Sequence, residues 1–378
     1  MAKEIIIEDK EEKVLLEELQ KKTDPEAVRI KRFLSMPDLS RTPGSPLKEI
    51  VDRTLQVKSL QGFDLIKIPE IVPAYVTFDL FNMPPGHPAR SRSDTYYVND
   101  DYILRTHDTV MWYYYLNHPA IKEKIRRGKP LGVICYGKVY RKDEIDRKHM
   151  NVFHQIGGLY LVPDKEKTLT LNDLKAVLVE IAQSIFWPDV KYRFNVDTFP
   201  YTDPSLEMEV EINGQWIEML GCGMPRKSVL QNFDLTNYNG WAFGFGLERM
   251  VIVSMDLPDI RLLWSNDPRI KRQLKLGNKF KEVSKYPAIT RDISFVVGTD
   301  FSPNNYFDLI RDLGGDLVEE VSLLDKYENP DKFGSGKISY TYRIIYRSNE
   351  RTLLTEEIEL IQARIAEETK KQFGAEIR

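Results

Sequence analysis

Apolar and polar positions repeat with two different periods along this chain, and the period separates predicted helices from predicted strands. Helical spacing before residue 280 is found at 11–34 (broken at Asp24-Pro25), 46–61, 110–125 and 171–186. Strand-forming patterns are found at 64–68, 96–104, 136–140, 152–162, 191–195, 206–213 and 215–224. Asn213-Gly214 joins the last two strands and is a strong signal for a β-hairpin. Helices and hairpins mixed in this way predict an α+β fold.

In residues 282–378 the patterns predict strands and helices in the order β-α-β-β-α-β. The predicted strands are 291–297, 317–326, 337–347 and a short final AEIR, and the predicted helices are 305–313 and 355–373. This order is that of a ferredoxin-like (split βαβ) domain. Along the third strand the tyrosines fall on one face, while Arg343 and Arg347 share the other. The two arginines are either phosphate contacts for RNA or part of a solvated face, and 13 Lys/Arg against 18 Asp/Glu in this region do not favour RNA.

Bulk composition excludes several classes of protein. The 378 residues are 42% hydrophobic and 29% charged, which predicts a folded chain of two or three domains. The net charge of −3 does not indicate a general polyanion-binding surface. Two isolated cysteines argue against a disulfide scaffold and a zinc site, and no apolar run is long enough for a membrane span. The acidic N-terminus resembles no targeting peptide, so the sequence predicts a cytoplasmic protein with no membrane partner.

The stretch 135–162 carries the clearest chemistry in the chain. Arg141 ends a predicted strand, a charged loop containing Asp143 and His149 follows, and the chain returns as a second strand. Phe153 and Gln155 are two residues apart on the return strand and therefore face the same side. An ordinary charged hairpin loop would explain the composition. Cations for phosphates beside an aromatic ring for a base would also suit a nucleotide.

This stretch resembles motif 2 of the class II aminoacyl-tRNA synthetases, and in detail that of the phenylalanyl-tRNA synthetase family. The matching residues are Gly137, Val139, Tyr140, Arg141, Asp143, His149, Phe153, His154, Gln155, Ile156 and Gly158. Further matches are HPAR with Asp94-Thr95-Tyr96, LRTHDT at 104–109, FPYTDPS at 199–205, WIEMLGCGM at 216–224, and GWAFGFGLERM at 240–250, which is similar to motif 3. Together they cover most of residues 80–270 in the family's order.

The resemblance implies three parts and a two-step ligase reaction. The parts are an N-terminal helical segment and linker (1–44), a catalytic domain with an antiparallel sheet flanked by helices (45–275), and an anticodon-binding domain (282–378). ATP and magnesium (Mg²⁺) are the implied cofactors, and phenylalanine and tRNA(Phe) the implied partners. The fused single chain resembles the monomeric organellar enzyme, whereas a motif 1-like segment after Ser45 leaves a homodimer open.

The resemblance also implies roles for individual residues. Those implied to bind ATP are Arg141, Asp143, His149, Phe153, Gly246 and Arg249, of which Arg141, His149 and Arg249 would be catalytic. Those implied to bind the amino acid are His107, Thr109, Arg141, Gln155, Gly157, Phe199, Tyr201, Ala242 and Gly244. Glu207 and Glu209 belong to an alternating row of acids, which is either a solvated strand face or a source of magnesium ligands.

Gly157 departs from the family pattern, which has a glutamate that accepts the α-ammonium of the substrate. Either Asp108 or an acid of the 207–211 strand supplies the missing carboxylate, or the substrate differs from phenylalanine, or the chain is an altered variant. Asp108 or Thr109 could alternatively be the N-cap of the following helix. The sequence predicts that Gly157→Glu lowers the KM for phenylalanine. A synthetase of altered specificity and an ATP- or RNA-binding protein without ligase activity are the rival functions.

Overall fold

The computed structural model describes residues 4–142 and 146–378. The chain divides into two compact units, Met1–Phe280 and Lys281–Arg378. Within the described ranges, none of the helices combines the length and the apolar character that crossing a membrane requires.

The first unit contains ten strands and ten α-helices among its described residues. The strands are β1 (Glu4–Ile6), β2 (Asp64–Lys67), β3 (Ile71–Pro73), β4 (Tyr102–Leu104), β5 (Leu131–Tyr140), β6 (Val152–Pro163), β7 (Tyr192–Asp197), β8 (Thr202–Ile212), β9 (Gln215–Pro225) and β10 (Tyr238–Gly246). The helices are α1 (Lys10–Lys21), α2 (Pro25–Ser35), α3 (Pro46–Leu55), α4 (Ala74–Phe78), α5 (Met111–Asn117), α6 (Pro119–Arg126), α7 (Leu171–Ile185), α8 (Lys227–Gln231), α9 (Leu247–Met255) and α10 (Pro268–Lys271).

Eight of these strands form one sheet in the order β1-β2-β5-β6-β10-β9-β8-β7. The pairings from β5 to β7 are antiparallel, as the resemblance implies, whereas β1, β2 and β5 pair in parallel at one edge. The sheet is therefore mixed, with flanking helices, and the α+β prediction is confirmed. Asn213 and Gly214 form the β8–β9 turn with φ of 52° and 77°, the left-handed backbone that a two-residue hairpin requires.

The N-terminal helices form where the sequence predicts them, with the break at Asp24-Pro25. The Asp24 side chain accepts a hydrogen bond from the backbone N–H of Ala27, and Pro25 occupies the first turn of α2. Their apolar faces bury Leu19, Ile30 and Phe33 against residues of the strands and loops of this unit. These helices thus contribute to a core instead of presenting only a solvated face.

Two predicted boundaries are wrong. The predicted strand 96–104 is a tight hairpin in which only Tyr102–Leu104 is a strand, because Asn99 Oδ1 accepts the N–H groups of Asp101 and Tyr102 and turns the chain. The predicted helix 46–61 ends earlier than expected, at Leu55.

The second unit has the β-α-β-β-α-β order that the sequence predicts, with one short added helix. Its elements are β11 (Ile289–Gly298), α11 (Pro303–Gly314), β12 (Val318–Glu328), α12 (Pro330–Phe333), β13 (Lys337–Tyr346), α13 (Thr355–Phe373) and β14 (Glu376–Ile377). The sheet is antiparallel in the order β12-β13-β11-β14. Tyr340, Tyr342 and Tyr346 are buried, as predicted for one face of β13.

Candidate active site

A cavity of about 630 Å³ lies against the central strands of the first unit. Its polar lining includes four carboxylates, two cations, a histidine and an amide: Asp94, Asp108, Asp197, Glu218, Arg141, Lys142, His107 and Gln155. Its apolar lining includes Met83, Met111, Trp112, Phe199, Tyr201, Ala242 and Phe243. Such a lining, apolar with a few convergent polar groups, is typical of a small-molecule site.

The β5–β6 hairpin places Arg141 at this cavity. Arg141 follows the last residue of β5, its Nε donates to the carbonyl of Thr106 at 3.0 Å, and its guanidinium lies 5.4 Å from the ring centroid of Phe153. Below it, Gly137 has a φ of 149°, and a Cβ there would come within 2.6 Å of the buried Arg105 guanidinium. The glycine lets Arg105 reach the Lys138 carbonyl and brace the strand from which Arg141 projects.

Three glycines stand side by side across the central strands and form the cavity floor. Gly157 of β6 pairs with Gly244 of β10, which pairs with Gly221 of β9. A Cβ at Gly221 would lie 2.8 Å from the Phe199 ring, so the missing side chain leaves room for that ring. Phe199 and Tyr201 are nearly parallel, with centroids 5.8 Å apart and an interplanar angle of 11°.

The carboxyl group of Asp108 covers the other two glycines of this floor. A Cβ at Gly157 would lie 1.7 Å from Asp108 Oδ2, and a Cβ at Gly244 would lie 3.1 Å from either carboxylate oxygen. The Asp108 N–H donates to Gln155 Oε1 at 3.0 Å, while its Oδ2 is buried without a hydrogen-bond partner. Burial raises the pKa of Asp108 to about 7, against the lowering effect of the nearby Arg105 and Arg141 charges.

This contact argues against the predicted benefit of Gly157→Glu, because a glutamate there would collide with Asp108. The N-cap alternative for Asp108 and Thr109 is wrong for a separate reason. His107 precedes the 3-10 turn that begins at Asp108, Val110 precedes α5, and neither of these helices has a side-chain cap hydrogen bond.

His107 and Tyr201 are uncharged members of the lining near neutral pH. Burial and then the charge of Arg141 lower the pKa of His107 to about 3. Burial, followed by the Asp108 charge, raises the pKa of Tyr201 to about 12. The pocket therefore offers a neutral imidazole and a neutral phenol among its charged side chains.

Most of the residues predicted to bind the amino acid meet at the cavity. His107, Thr109, Arg141, Gln155, Phe199, Tyr201, Ala242 and Gly244 line it. Gly157 is shielded by Asp108, and Phe153 contacts Arg141 from beside the cavity. Asp143 lies outside the described residues.

The other residues predicted to bind ATP are not brought into the lining. His149 is half exposed and its Nδ1 pairs with Asp146 Oδ2 at 2.8 Å. Arg249 pairs with Glu218 Oε2 at 2.7 Å, so it touches the lining through that acid. Gly246 is the last residue of β10, immediately before α9.

Glu207 and Glu209 have protein partners on the face of β8. Glu207 accepts from Asn195 Nδ2 at 3.0 Å, and Glu209 accepts from Asn195 and pairs with Arg193. Neither lines the cavity, and no group of three metal-ligating side chains occurs within the described ranges. Glu218, unlike Glu207 and Glu209, does line the cavity.

In the second unit, both arginines predicted to contact RNA are held by carboxylates. Arg343 donates two hydrogen bonds of 2.8 Å to Asp292, and Arg347 Nε donates to Glu319 at 2.9 Å. Their role in binding tRNA stays a prediction.

The sequence did not assign Glu218, Asp94 or Lys142 to the site. Glu218 belongs to the WIEMLGCGM match and Asp94 to the match after HPAR, so membership of a matched motif was the available signal. Lys142 follows Arg141 directly. The position of the Asp108 carboxyl group over Gly157 and Gly244 could not be predicted from local sequence, because both glycines are far from Asp108 along the chain.

The profile of the tRNA synthetases class II core domain (F) matches residues 33–274, and the profile of the ferredoxin-fold anticodon binding domain matches residues 284–378. The phenylalanine--tRNA ligase, chloroplastic/mitochondrial, of Arabidopsis thaliana is 40% identical over 320 residues, covering 82% of this chain and 71% of that protein. The mitochondrial phenylalanine--tRNA ligase of Mus musculus is 35% identical, covering 82% and 74%, and that of Saccharomyces cerevisiae is 29% identical, covering 94% and 93%.

These relatives correct the predicted location. All three are named as mitochondrial or chloroplastic proteins, so the prediction of a cytoplasmic protein is wrong. That prediction rested on the composition of the first residues, which bears on targeting only weakly.

Proposed function

The chain belongs to the phenylalanine-type class II tRNA synthetases, and we propose that it joins phenylalanine to tRNA(Phe) through a phenylalanyl adenylate formed in the cavity beside Arg141. The carboxylate of the amino acid attacks the α-phosphate of ATP, which releases pyrophosphate and leaves the acyl adenylate. A ribose hydroxyl of the tRNA then attacks the acyl carbon, and AMP leaves. A reaction of this kind needs positioning and charge neutralisation more than it needs covalent help from the protein.

The observation that carries this proposal is the position of Arg141. Its guanidinium is steered by the Thr106 carbonyl and the Phe153 ring to the rim of a cavity with an aromatic lining. One planar cation can there contact both the α-phosphate and the attacking carboxylate, which are the two anionic partners of the first step. Phe153 is then available to stack on adenine.

The pocket chemistry favours an uncharged aromatic side chain. Phe199 and Tyr201 would lie against the substrate ring, and Ala242, which is 6% exposed, leaves room for a phenyl group without offering a partner to a para-hydroxyl. Gln155, Thr109 and His107 would orient the backbone of the amino acid.

ATP would bring its own negative charge to a site with several cations. Arg249 and His149 would contact the outer phosphates, after exchanging their present carboxylate partners for phosphate oxygens. Mg²⁺ held by Glu218 would neutralise phosphate charge. The residues 282–378 would bind the anticodon part of tRNA(Phe).

The first step is tested by amino-acid-dependent exchange of pyrophosphate into ATP. The full chain should show exchange with phenylalanine, and Arg141→Ala should lower the rate by roughly 100-fold or more, the usual effect of removing a donor to developing charge. Arg127→Ala removes an exposed arginine that pairs with Glu123 and should leave the rate unchanged. Equal rates in both variants would contradict the assigned role. Exchange only with a ring-substituted phenylalanine would favour a synthetase of altered specificity.

A further inference from the structure

The carboxyl group of Asp108 lies at the floor of the cavity, in space that is free because positions 157 and 244 are glycines. Asp108 is 7% exposed, lines the cavity, and has a buried Oδ2 without a hydrogen-bond partner. Its seat depends on two glycines on neighbouring strands, since a side chain at Gly157 would overlap it and one at Gly244 would crowd it. A buried carboxylate oxygen left unpaired in the free protein indicates a ligand donor that is absent.

The other cavity carboxylates already have partners. Asp197 accepts the N–H of Thr198 at 2.7 Å, Asp94 accepts the hydroxyl of Ser93 at 2.7 Å, and Glu218 pairs with Arg249. Among the described residues that line the cavity, Asp108 is thus the acid with a buried oxygen open to a new donor.

The charges around Asp108 match the two ends of an α-amino acid. Arg141 and Asp108 both line the cavity, so a substrate carboxylate at Arg141 would bring its neighbouring ammonium group to the same region. The groups that act on the Asp108 charge are Arg105, Arg141, Tyr201 and the buried Cys135, with the neutral His107 next in sequence. In addition, Gln155 holds the Asp108 backbone from the return strand of the hairpin.

We propose that Asp108, seated over Gly157 and Gly244, is the residue that binds the α-ammonium group of the amino-acid substrate. The carboxylate thus comes from the turn before α5 instead of from position 157 of β6. This inference rests on the proposed function and adds the residue that discriminates an α-amino acid from a simple arylalkanoic acid.

The test compares two ligands that differ in the ammonium group alone. Binding of phenylalanine and of 3-phenylpropanoate is measured by calorimetry on the full chain and on Asp108→Asn, which keeps the size of the side chain and removes its charge. Asp108→Asn should weaken phenylalanine binding by about 10-fold to 100-fold, the range for a charge-assisted hydrogen bond. It should change 3-phenylpropanoate binding and the KM for ATP by less than about 2-fold.

A further set of variants moves the carboxylate from the turn before α5 to β6. Asp108→Thr should lose phenylalanine binding, Gly157→Glu alone should lose it through the collision with Asp108, and the double variant should regain exchange activity. Asp197→Asn removes another cavity carboxylate and should leave the ratio of the two ligands' affinities unchanged.

The outcomes separate the two proposals. Equal losses for both ligands in Asp108→Asn, or no loss for either, would overturn the role of Asp108 while phenylalanine-dependent exchange by the unaltered chain still supports the ligase. An unaltered chain that binds 3-phenylpropanoate more tightly than phenylalanine would overturn the role of Asp108. An unaltered chain that neither binds nor exchanges phenylalanine would overturn both proposals.

Discussion

At the scale of single residues, the Asp108–Gly157 pair determines how the amino-acid pocket is built. Sequence motifs pointed to Arg141, His107, Gln155 and Phe199, and the structure brings these four residues to one cavity. They did not show that Asp108 fills the space beside Gly157, since 49 positions separate the two residues and only the strand register brings them together. The structure places the carboxyl group of Asp108, from the turn before α5, in the space that a side chain at position 157 would occupy.

The buried carboxyl group of Asp108 predicts a specific dependence of stability on pH. Its pKa in the folded chain is about 7, above the value of about 3.9 for a solvated aspartate, so between these pH values the folded state holds a proton that the unfolded state has released. The free energy of unfolding should therefore fall as pH rises from about 4 to about 7, by up to about 4 kcal/mol, and then level off.

Asp108→Asn should remove this dependence, because its amide does not titrate. Denaturant unfolding of the ligand-free chain at pH 5, 6, 7 and 8 measures it, and at pH 8 the variant should be the more stable protein. Parallel curves for the two proteins would contradict the assignment. A variant that is more stable but binds phenylalanine less well would show that the carboxylate serves binding at the expense of stability.

At the scale of elements, the N-terminal helices are tied to the catalytic strands through a buried histidine. His154 lies between Phe153 and Gln155 on β6 and is fully buried. Its Nδ1 bonds to Glu248 of α9 at 2.6 Å, and its Nε2 accepts the N–H of Leu39, just after α2, at 2.9 Å. Helical periodicity, interrupted at Asp24-Pro25, predicted α1 and α2. Their docking could not be predicted, because it depends on contacts between distant segments.

The packing of α2 gives a prediction for stability. Phe33 is 4% exposed and meets the ring of Tyr96 edge-on at 5.1 Å. Phe33→Ala should lower the free energy of unfolding by about 3–5 kcal/mol, the usual range for emptying a buried aromatic site. Val28→Ala changes a residue of the same helix that is 51% exposed and should have an effect below about 0.5 kcal/mol. Similar denaturation midpoints for the two variants would mean that α2 is only loosely attached.

At the scale of the whole molecule, each of the two units has its own core. The aromatic core of the second unit is formed by residues between 289 and 377, and the large core beside the cavity by residues between 5 and 242. The pattern of strands and helices predicted the β-α-β-β-α-β order of the second unit, because most of its elements are long and strongly periodic, but it did not predict the short helix α12. The parallel edge of the large sheet was not predicted, since β1 has only three residues and its pairing is not encoded locally.

Because each unit has its own core, we expect amino-acid activation to persist without the second unit, whereas charging of tRNA(Phe) should need it. A chain of residues 1–280 should keep phenylalanine-dependent pyrophosphate exchange within a few-fold, because the described cavity lining lies between residues 83 and 244. Its kcat/KM for charging tRNA(Phe) should fall by roughly 10-fold or more, which corresponds to about 1.4 kcal/mol of lost tRNA contacts. Measuring exchange and charging on the same preparation controls for misfolding. An unchanged kcat/KM for charging would show that residues 281–378 do not contribute to tRNA recognition.

The most direct test of the account is ATP-dependent charging of a tRNA(Phe) transcript by the full chain with radiolabelled phenylalanine. The account predicts acid-precipitable phenylalanyl-tRNA that needs ATP, Mg²⁺ and Arg141, is outcompeted by unlabelled phenylalanine, and is not outcompeted by 3-phenylpropanoate at the same concentration. Adenylate formation without transfer to tRNA, or charging that persists in Arg141→Ala, would contradict it.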